Sequence, residues 1–370
     1  MCLSLYRISM SCYYKREKFD SNKKIRKRNE KQQKTTESWH SMGKYVLKRL
    51  GYMVCVFLVL SFLMYCLYGL VPGDPARAQL EAQKKTMKPD EYEREYQRLR
   101  QEMGLDDPLI VRYGHWFGGL VTGDFGRSQT YNDAVINIIG APLGNTVLIN
   151  ICATILALVI TIPLGIFCAV HKGSKFDSAV QVLTIVGYSI PVFIIALLFI
   201  YLFAVVLGWF PVSGMNTPGV DFANGWDWFW NRMYYLALPL IVMTIGSLGG
   251  MTRYVRAAMI DSLRMDYIRT ARAKGVKEKV VIYSHAWRNA LLPVITLIIS
   301  WFLGIFGGSI VIEQTFSLNG MGKLYISSLN EHDFELSLAI QMFYVIIALV
   351  GNLIIDLSYG LVDPRVRINR

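Results

Sequence analysis

Six stretches of this chain contain no Asp, Glu, Lys or Arg: residues 50–71, 134–170, 178–220, 233–252, 289–312 and 336–355. About 20 helical residues, rising 1.5 Å each, cross a hydrocarbon layer of about 30 Å, so every stretch is long enough. A charge at the bilayer centre costs about 2.5–3.5 kcal/mol on insertion scales. Confining the charges to the segments between is therefore the pattern of an all-α membrane protein with about six transmembrane helices. Composition agrees: 18% of the 370 residues are charged and 53% are hydrophobic, against about 25% charged in soluble domains. The second and third stretches exceed one span. Helices are expected there near 145–170 and 180–208, with kinks where Pro163 and Pro191 fall inside them.

Charge in the connecting segments sets the orientation. Residues 1–49 hold fourteen Lys or Arg against four acids, and residues 253–288 hold nine against three. Lys172, Lys175, Arg365, Arg367 and Arg370 fall on the same side, alternating with near-neutral segments at 72–133, 209–232 and 313–335. The positive-inside rule puts both termini and the 253–288 segment in the cytoplasm. The net charge of +12 thus sits mostly in a basic tail over 1–43, expected to be disordered and solvated. No zinc-ligand spacing or nucleic-acid motif accompanies it, so no nucleic acid is expected as a partner.

Ala76-Arg77-Ala78 has the look of a signal cleavage site. The apolar run before it is of spanning length, so 50–71 reads as a retained first span. Met42 is an alternative translation start to Met1. Beyond this span the segment 72–133 is long enough for an extracytoplasmic cap, with a polar helix over 89–103. Pro89 stands at its start and Gly104 just past its end. The organisation expected is the tail 1–43, a first helix with its external loop over 44–133, and a five-helix core over 134–370.

Several chemistries are excluded or disfavoured. The nearest approach to a phosphate-binding P-loop is Gly322-Lys323, but position 317 is Ser and position 324 is Leu. An ion-coupled secondary transporter would carry ionisable residues in mid-membrane. Here Asp356 and Glu313 stand near span ends, where a structural role suffices. The five histidines, at 40, 115, 171, 285 and 332, fall in loops or at helix ends, so an intramembrane protease is disfavoured. The six cysteines have neither metal spacing nor a disulfide framework. No catalytic residue, cofactor or metal site is expected in this chain.

Energy can enter at 253–288. Residues 259–274 contain neither Pro nor Gly and are expected to form a helix. Gly275 would supply the positive φ of a helix stop, and a second helix would follow. Such a unit would make a compact knob beneath the membrane; an ordinary basic loop obeying the positive-inside rule is the alternative.

Here the sequence resembles the permease subunits of ABC importers. In that family a glycine-containing loop with a Glu-Ala-Ala motif forms the coupling helix that docks on an ATPase. The matching positions are Arg269, Thr270 and Ala271, followed by Arg272, Ala273, Lys274 and Gly275, so the Glu and the first Ala are replaced. The run from Tyr267 to Gly275, with Arg288-Asn-Ala-Leu-Leu-Pro293 behind it, resembles the dipeptide/oligopeptide branch. So do Arg49-Leu-Gly51, Val71-Pro-Gly-Asp-Pro75, Gly104-Leu-Asp-Asp-Pro-Leu109, Gly123-Asp-Phe-Gly-Arg-Ser128, Phe210-Pro-Val-Ser-Gly214, Glu313-Gln-Thr-Phe316 and Leu361-Val-Asp-Pro-Arg365.

The resemblance spans about 44–367 and implies the type I ABC importer permease fold in a prokaryotic cell membrane. It implies a second, homologous permease subunit, two cytoplasmic ABC ATPases that hold ATP and Mg, and an extracytoplasmic solute-binding protein. Peptide is the implied substrate, with nickel or another small solute as the alternative within the family. Arg269 to Gly275 are the implied coupling contact. Gly187, Ser189 and Pro191 are candidates for the pore lining, or mark a kink made only for packing. Trp226, Trp228 and Trp230 suit an interfacial aromatic belt, or a contact with the binding protein.

Overall fold

In the computed structural model of the chain, residues 46–70, 75–80, 87–102, 104–222 and 224–362 are described. The basic tail, Met42, most of the Val71–Pro75 motif and the Asp363–Arg365 part of the C-terminal motif lie outside them. The chain divides into two compact units, Met1–Val59 and Leu60–Arg370, with the boundary inside helix α1 (Val46–Leu70). The described part of the first unit is apolar helix, with Leu47, Val54 and Val59 exposed.

Among its described residues the second unit is built from helices joined by loops, with a single isolated bridge between Arg127 and Ala134. After α1 come α2 (Pro75–Leu80), α3 (Pro89–Glu102) and α4 (Leu109–Thr122). Helix α3 ends where expected, with Gly104 at φ 61° beyond it. It is more than a polar surface helix, because its Tyr96 is buried with Ala76 and Leu80. Helix α4 was not anticipated. At 14 residues it is about 21 Å long, too short to span. Its Tyr113 and Trp116 pack on the end of α1, where Ser61 and Tyr113 share a hydrogen bond of 2.8 Å and Tyr65 meets both rings.

Two long helices form the axis of the fold, α5 (Val135–Val170, 36 residues) and α8 (Gly225–Leu263, 39 residues). They measure about 54 and 58 Å, so both project well beyond a hydrocarbon core of about 30 Å. Both exceed the expected spans, 145–170 and 233–252, and the reason is tertiary. Val135 and Ile139 at the start of α5 are buried against Met321, Leu336 and Ile340. Helix α8 buries Met259 and Val255 at its far end against α5 and later elements. Pro142 and Pro163 lie inside α5 without ending it. The α5–α8 crossing is close because Gly165 has no side chain: a Cβ there would lie 2.8 Å from Val255 Cβ and 2.9 Å from the Thr252 carbonyl oxygen. A second close approach, at Gly249, seats α8 against Thr184 and Tyr188.

The third expected span is corrected outright. In place of one kinked helix over 180–208 there are two, α6 (Lys175–Ser189) and α7 (Val192–Val206), bent by 98° at Ile190–Pro191. Proline lacks the N–H that a continuing helix needs and drives the residue before it out of the helical region. Ile190 accordingly sits at φ −84°, ψ 126°. Among the described residues five helices can cross a membrane by length and composition, and a sixth if the bent pair is one span.

The remaining elements are α9 (Asp266–Ala273), α10 (Glu278–Phe306), α11 (Ile310–Thr315), α12 (Met321–Asn330) and α13 (Phe334–Val362). The fifth span thus starts at Glu278, earlier than the expected Asn289, because Val281, Ala286 and Ala290 are buried against α8 and α9.

Candidate functional site

The segment 253–288 is built differently from the expected pair of helices. Helix α8 ends at Leu263, and Met265 turns to φ −71°, ψ 150°, so the helix expected over 259–274 is interrupted. What stands free is α9 alone, with the ends of α8 and α10 as its two stems. Its eight residues are amphipathic. Ile268 and Ala271 are buried with Met259 and Val281, while Arg269, Thr270, Arg272 and Ala273 face outward. Asp266 in the first turn suits the positive end of the helix dipole.

The stop at Gly275 is as expected. Its φ is 74°, the Val276 N–H donates to the Ala271 carbonyl at 3.2 Å, and the Gly275 N–H donates to that of Arg272 at 3.0 Å. This paired closure is a Schellman motif, and Val276 packs in the same cluster as Ala271. Arg272 then bridges the turn to Glu278, at 2.5 and 3.1 Å, and that ion pair holds its guanidinium above the ordinary arginine range. Both partners are about half exposed, so the pair orients the loop more than it stabilises it.

One buried hydroxyl joins all three elements of the knob. Ser262 on α8 donates to the Ala286 carbonyl on α10 at 2.8 Å. Its single proton is thereby used, so the Tyr267 hydroxyl of α9 donates to Ser262 Oγ, at 2.7 Å. Ala286 lies in a π-helical turn, Val281–Trp287, a geometry that recurs at functional sites because it frees carbonyls from the regular ladder. The α8 stem is fixed further up by Arg256, whose guanidinium grips the buried Asp177 carboxylate with two bonds of 2.7 Å. Asp177 also accepts from the Gly173 N–H at 2.9 Å. Helix α8 is thus locked to the turn between α5 and α6.

Gly187, Ser189 and Pro191 come together at the α6–α7 elbow, on a different element from α9. Pro191 and Ser189 are exposed, and the Ser189 hydroxyl donates back to the Ile185 carbonyl at 2.8 Å. Nothing lies within 4 Å of where a Gly187 Cβ would be.

Polar groups missed by sequence reasoning cluster toward the other end of α8. Glu313, read as a residue closing a span, is buried and accepts from the Thr146 hydroxyl and the Lys323 N–H, each at 3.0 Å. Arg232 is also buried, and its Nη2 donates to Asn145 Oδ1 at 2.5 Å. Adjacent positions of α5, Asn145 and Thr146, serve these two sites. A lone polar residue at the edge of an apolar run gives no sequence signal of such a partner.

Residues 161–368, which contain the whole knob, match the family described as binding-protein-dependent transport system inner membrane component; residues 42–147 match the N-terminal region of the same class of membrane component. The chain belongs to this family. The permease is 37% identical over 326 residues to the oligopeptide transport system permease protein AppB of Bacillus subtilis, covering 88% of this chain and 99% of that one. It is equally identical over 328 residues to a putative peptide permease of Brucella suis, covering 88% and 100%. A solved inward-facing MetNI methionine ABC transporter overlaps with a TM-score of 0.45 and 16% identity, over 60% of this chain and 96% of that one. As a permease subunit of an ABC transport system, the protein contributes a membrane path.

Proposed function

We propose that this permease imports di- and oligopeptides, driven by ATP hydrolysed on other subunits. In this reading it shares the translocation path with a second, homologous permease. Two cytoplasmic ABC ATPases bind ATP and Mg, and an extracytoplasmic binding protein delivers the peptide. Both termini face the cytoplasm in this reading, which the basic segments support through the positive-inside rule. The peptide relatives favour peptide over nickel as cargo.

The observation that carries the coupling role is the anchorage of α9. Its outward face, Arg269, Thr270, Arg272, Ala273, Lys274 and Gly275, is exposed, while Ile268, Ala271 and the Ser262 hydroxyl fix its inward face to two spans. A rigid lever of this kind transmits a push on α9 into α8 and α10. ATP binding, by favouring the closed ATPase dimer, biases the path between outward and inward access. Gly187, Ser189 and Pro191 line that path in this reading, since the exposed elbow gives the membrane a break in which backbone polar groups meet water or a partner.

The test is uptake of a labelled tripeptide and of radioactive nickel by cells with and without the gene. Removing the gene is expected to abolish peptide uptake alone, and uptake by cells that keep it is expected to persist with a protonophore while ATP is maintained. Loss of nickel uptake alone would overturn the cargo, and abolition by the protonophore would overturn the energy source.

A further inference from the structure

Arg232 is 8% exposed and forms no ion pair with any described acid. The groups its guanidinium touches are neutral. Asn145 is fixed in orientation, because its Nδ2 donates to the Asn319 carbonyl at 2.7 Å, and so turns its Oδ1 to Arg232 Nη2. Met215 Sδ lies 3.9 Å from the same nitrogen, and the Trp228 ring covers the guanidinium with its centroid 5.1 Å from Cζ. The Nε is buried and bonded to nothing. A buried charge held only by neutral partners is costly for a fold to keep.

A cavity of about 520 Å³ lies on Trp228, the ring that covers this group. Trp228 is shared between the two: one face of its side chain lines the cavity with Asn216, Thr217 and Asp221, and its ring caps the arginine. Trp228 is 41% exposed and is the side chain that stands between the cavity and the guanidinium in the proposal below. The group it covers is a planar fork with Nε open, which fits a carboxylate.

We propose that Arg232 receives the terminal carboxylate of the peptide as it enters the permease, with Trp228 as the cover that moves aside. The inference rests on the peptide reading above. It names a chemical group that peptides of any side-chain sequence carry, and a position about 46 Å along α8 from the knob at its other end.

The test uses the complete importer in nanodiscs, without binding protein, titrated with ¹⁹F-labelled tri-alanine and with its C-terminal amide. Tighter binding of the free acid, by tenfold or more, is expected in the native complex. Arg232→Gln is expected to bring that ratio near one, and Arg232→Lys to keep part of it. Trp228→Ala, which leaves the cation in place, is expected to strengthen acid binding more than amide binding. An acid-to-amide ratio near one in the native complex, or one that Arg232→Gln and Trp228→Ala leave unmoved, would overturn the proposal. If the ratio depends on Arg232 but tripeptide is not imported, the carboxylate site stands and the peptide reading falls.

Discussion

Replacing Ser262 by alanine removes one oxygen from the point where α8, α9 and α10 meet, and the two bonds it makes are not equal. Tyr267 is 40% exposed, so its hydroxyl recovers water when its acceptor is lost. The Ala286 carbonyl sits on a fully buried residue and loses its side-chain donor. Leaving a buried acceptor unsatisfied costs about 1–3 kcal/mol, whereas an exchange with water is close to neutral. The expected destabilisation is therefore about 1.5 kcal/mol, carried almost wholly by the α8–α10 bond. At about 1.4 kcal/mol per factor of ten, the closed state of the α8–α10 stems that carry α9 becomes roughly tenfold less favoured. In proteoliposomes the ATP consumed per peptide imported should rise several-fold, and amide exchange within 266–276 should speed up by about ten. Tyr267→Phe should cost less, about 0.5 kcal/mol or below, and Ser262→Thr should retain coupling. The double variant should cost less than the sum, because both changes remove the same Ser262–Tyr267 hydrogen bond. If Ser262→Ala leaves exchange and coupling unaltered, or Tyr267→Phe is the more damaging, the anchoring argument fails.

Three further outcomes follow from the same geometry. Gly275→Val meets open space but must hold φ 74°, a strain of about 1–3 kcal/mol for a non-glycine residue; the variant should reach the membrane and hydrolyse ATP yet import little peptide per ATP. Asp177→Asn strips Arg256 of its bidentate partner, and since the arginine side chain is 20% exposed the loss should be about 2–3 kcal/mol, below the 3–5 of a fully buried pair. Its readout is a lower melting temperature of the solubilised complex, recovered when Arg256 is changed to methionine alongside Asp177→Leu. Gly165→Leu drives a side chain into Val255 and the Thr252 carbonyl and should cost at least about 1–3 kcal/mol, seen as reduced amounts of assembled complex in membranes.

The spans were legible because exclusion of charge from hydrocarbon is a strong local constraint. The family was legible because its motifs recur in order along the chain. Gly275 was legible too, since a positive φ after a helix leaves a residue-type signature. Helix ends were not. Val135, Ile139, Met259 and Val281 extend α5, α8 and α10 past their apolar runs by burying surface against distant elements, which no local pattern encodes. The break at Ile190–Pro191 was visible as a proline, but whether a proline bends or divides a helix depends on its neighbours; Pro163 leaves α5 unbroken. The polar partners Asp177–Arg256, Thr146–Glu313 and Asn145–Arg232 are separated by 79, 167 and 87 positions. Of these six only Glu313 stood out in the sequence, as a residue near a span end, and nothing local pointed to its partner.

Cross-linking at the knob tests the central claim most directly. In a background with the native cysteines replaced by serine, Ala273→Cys on the exposed face of α9 is treated with a short bifunctional reagent in the assembled importer. Trp226→Cys, at the opposite end of α8, serves as control. The account predicts an adduct between residue 273 and an ATPase subunit, with a yield that changes when ATP and vanadate are added, and none from residue 226. An active, assembled importer that gives no ATPase adduct from residue 273 would contradict it.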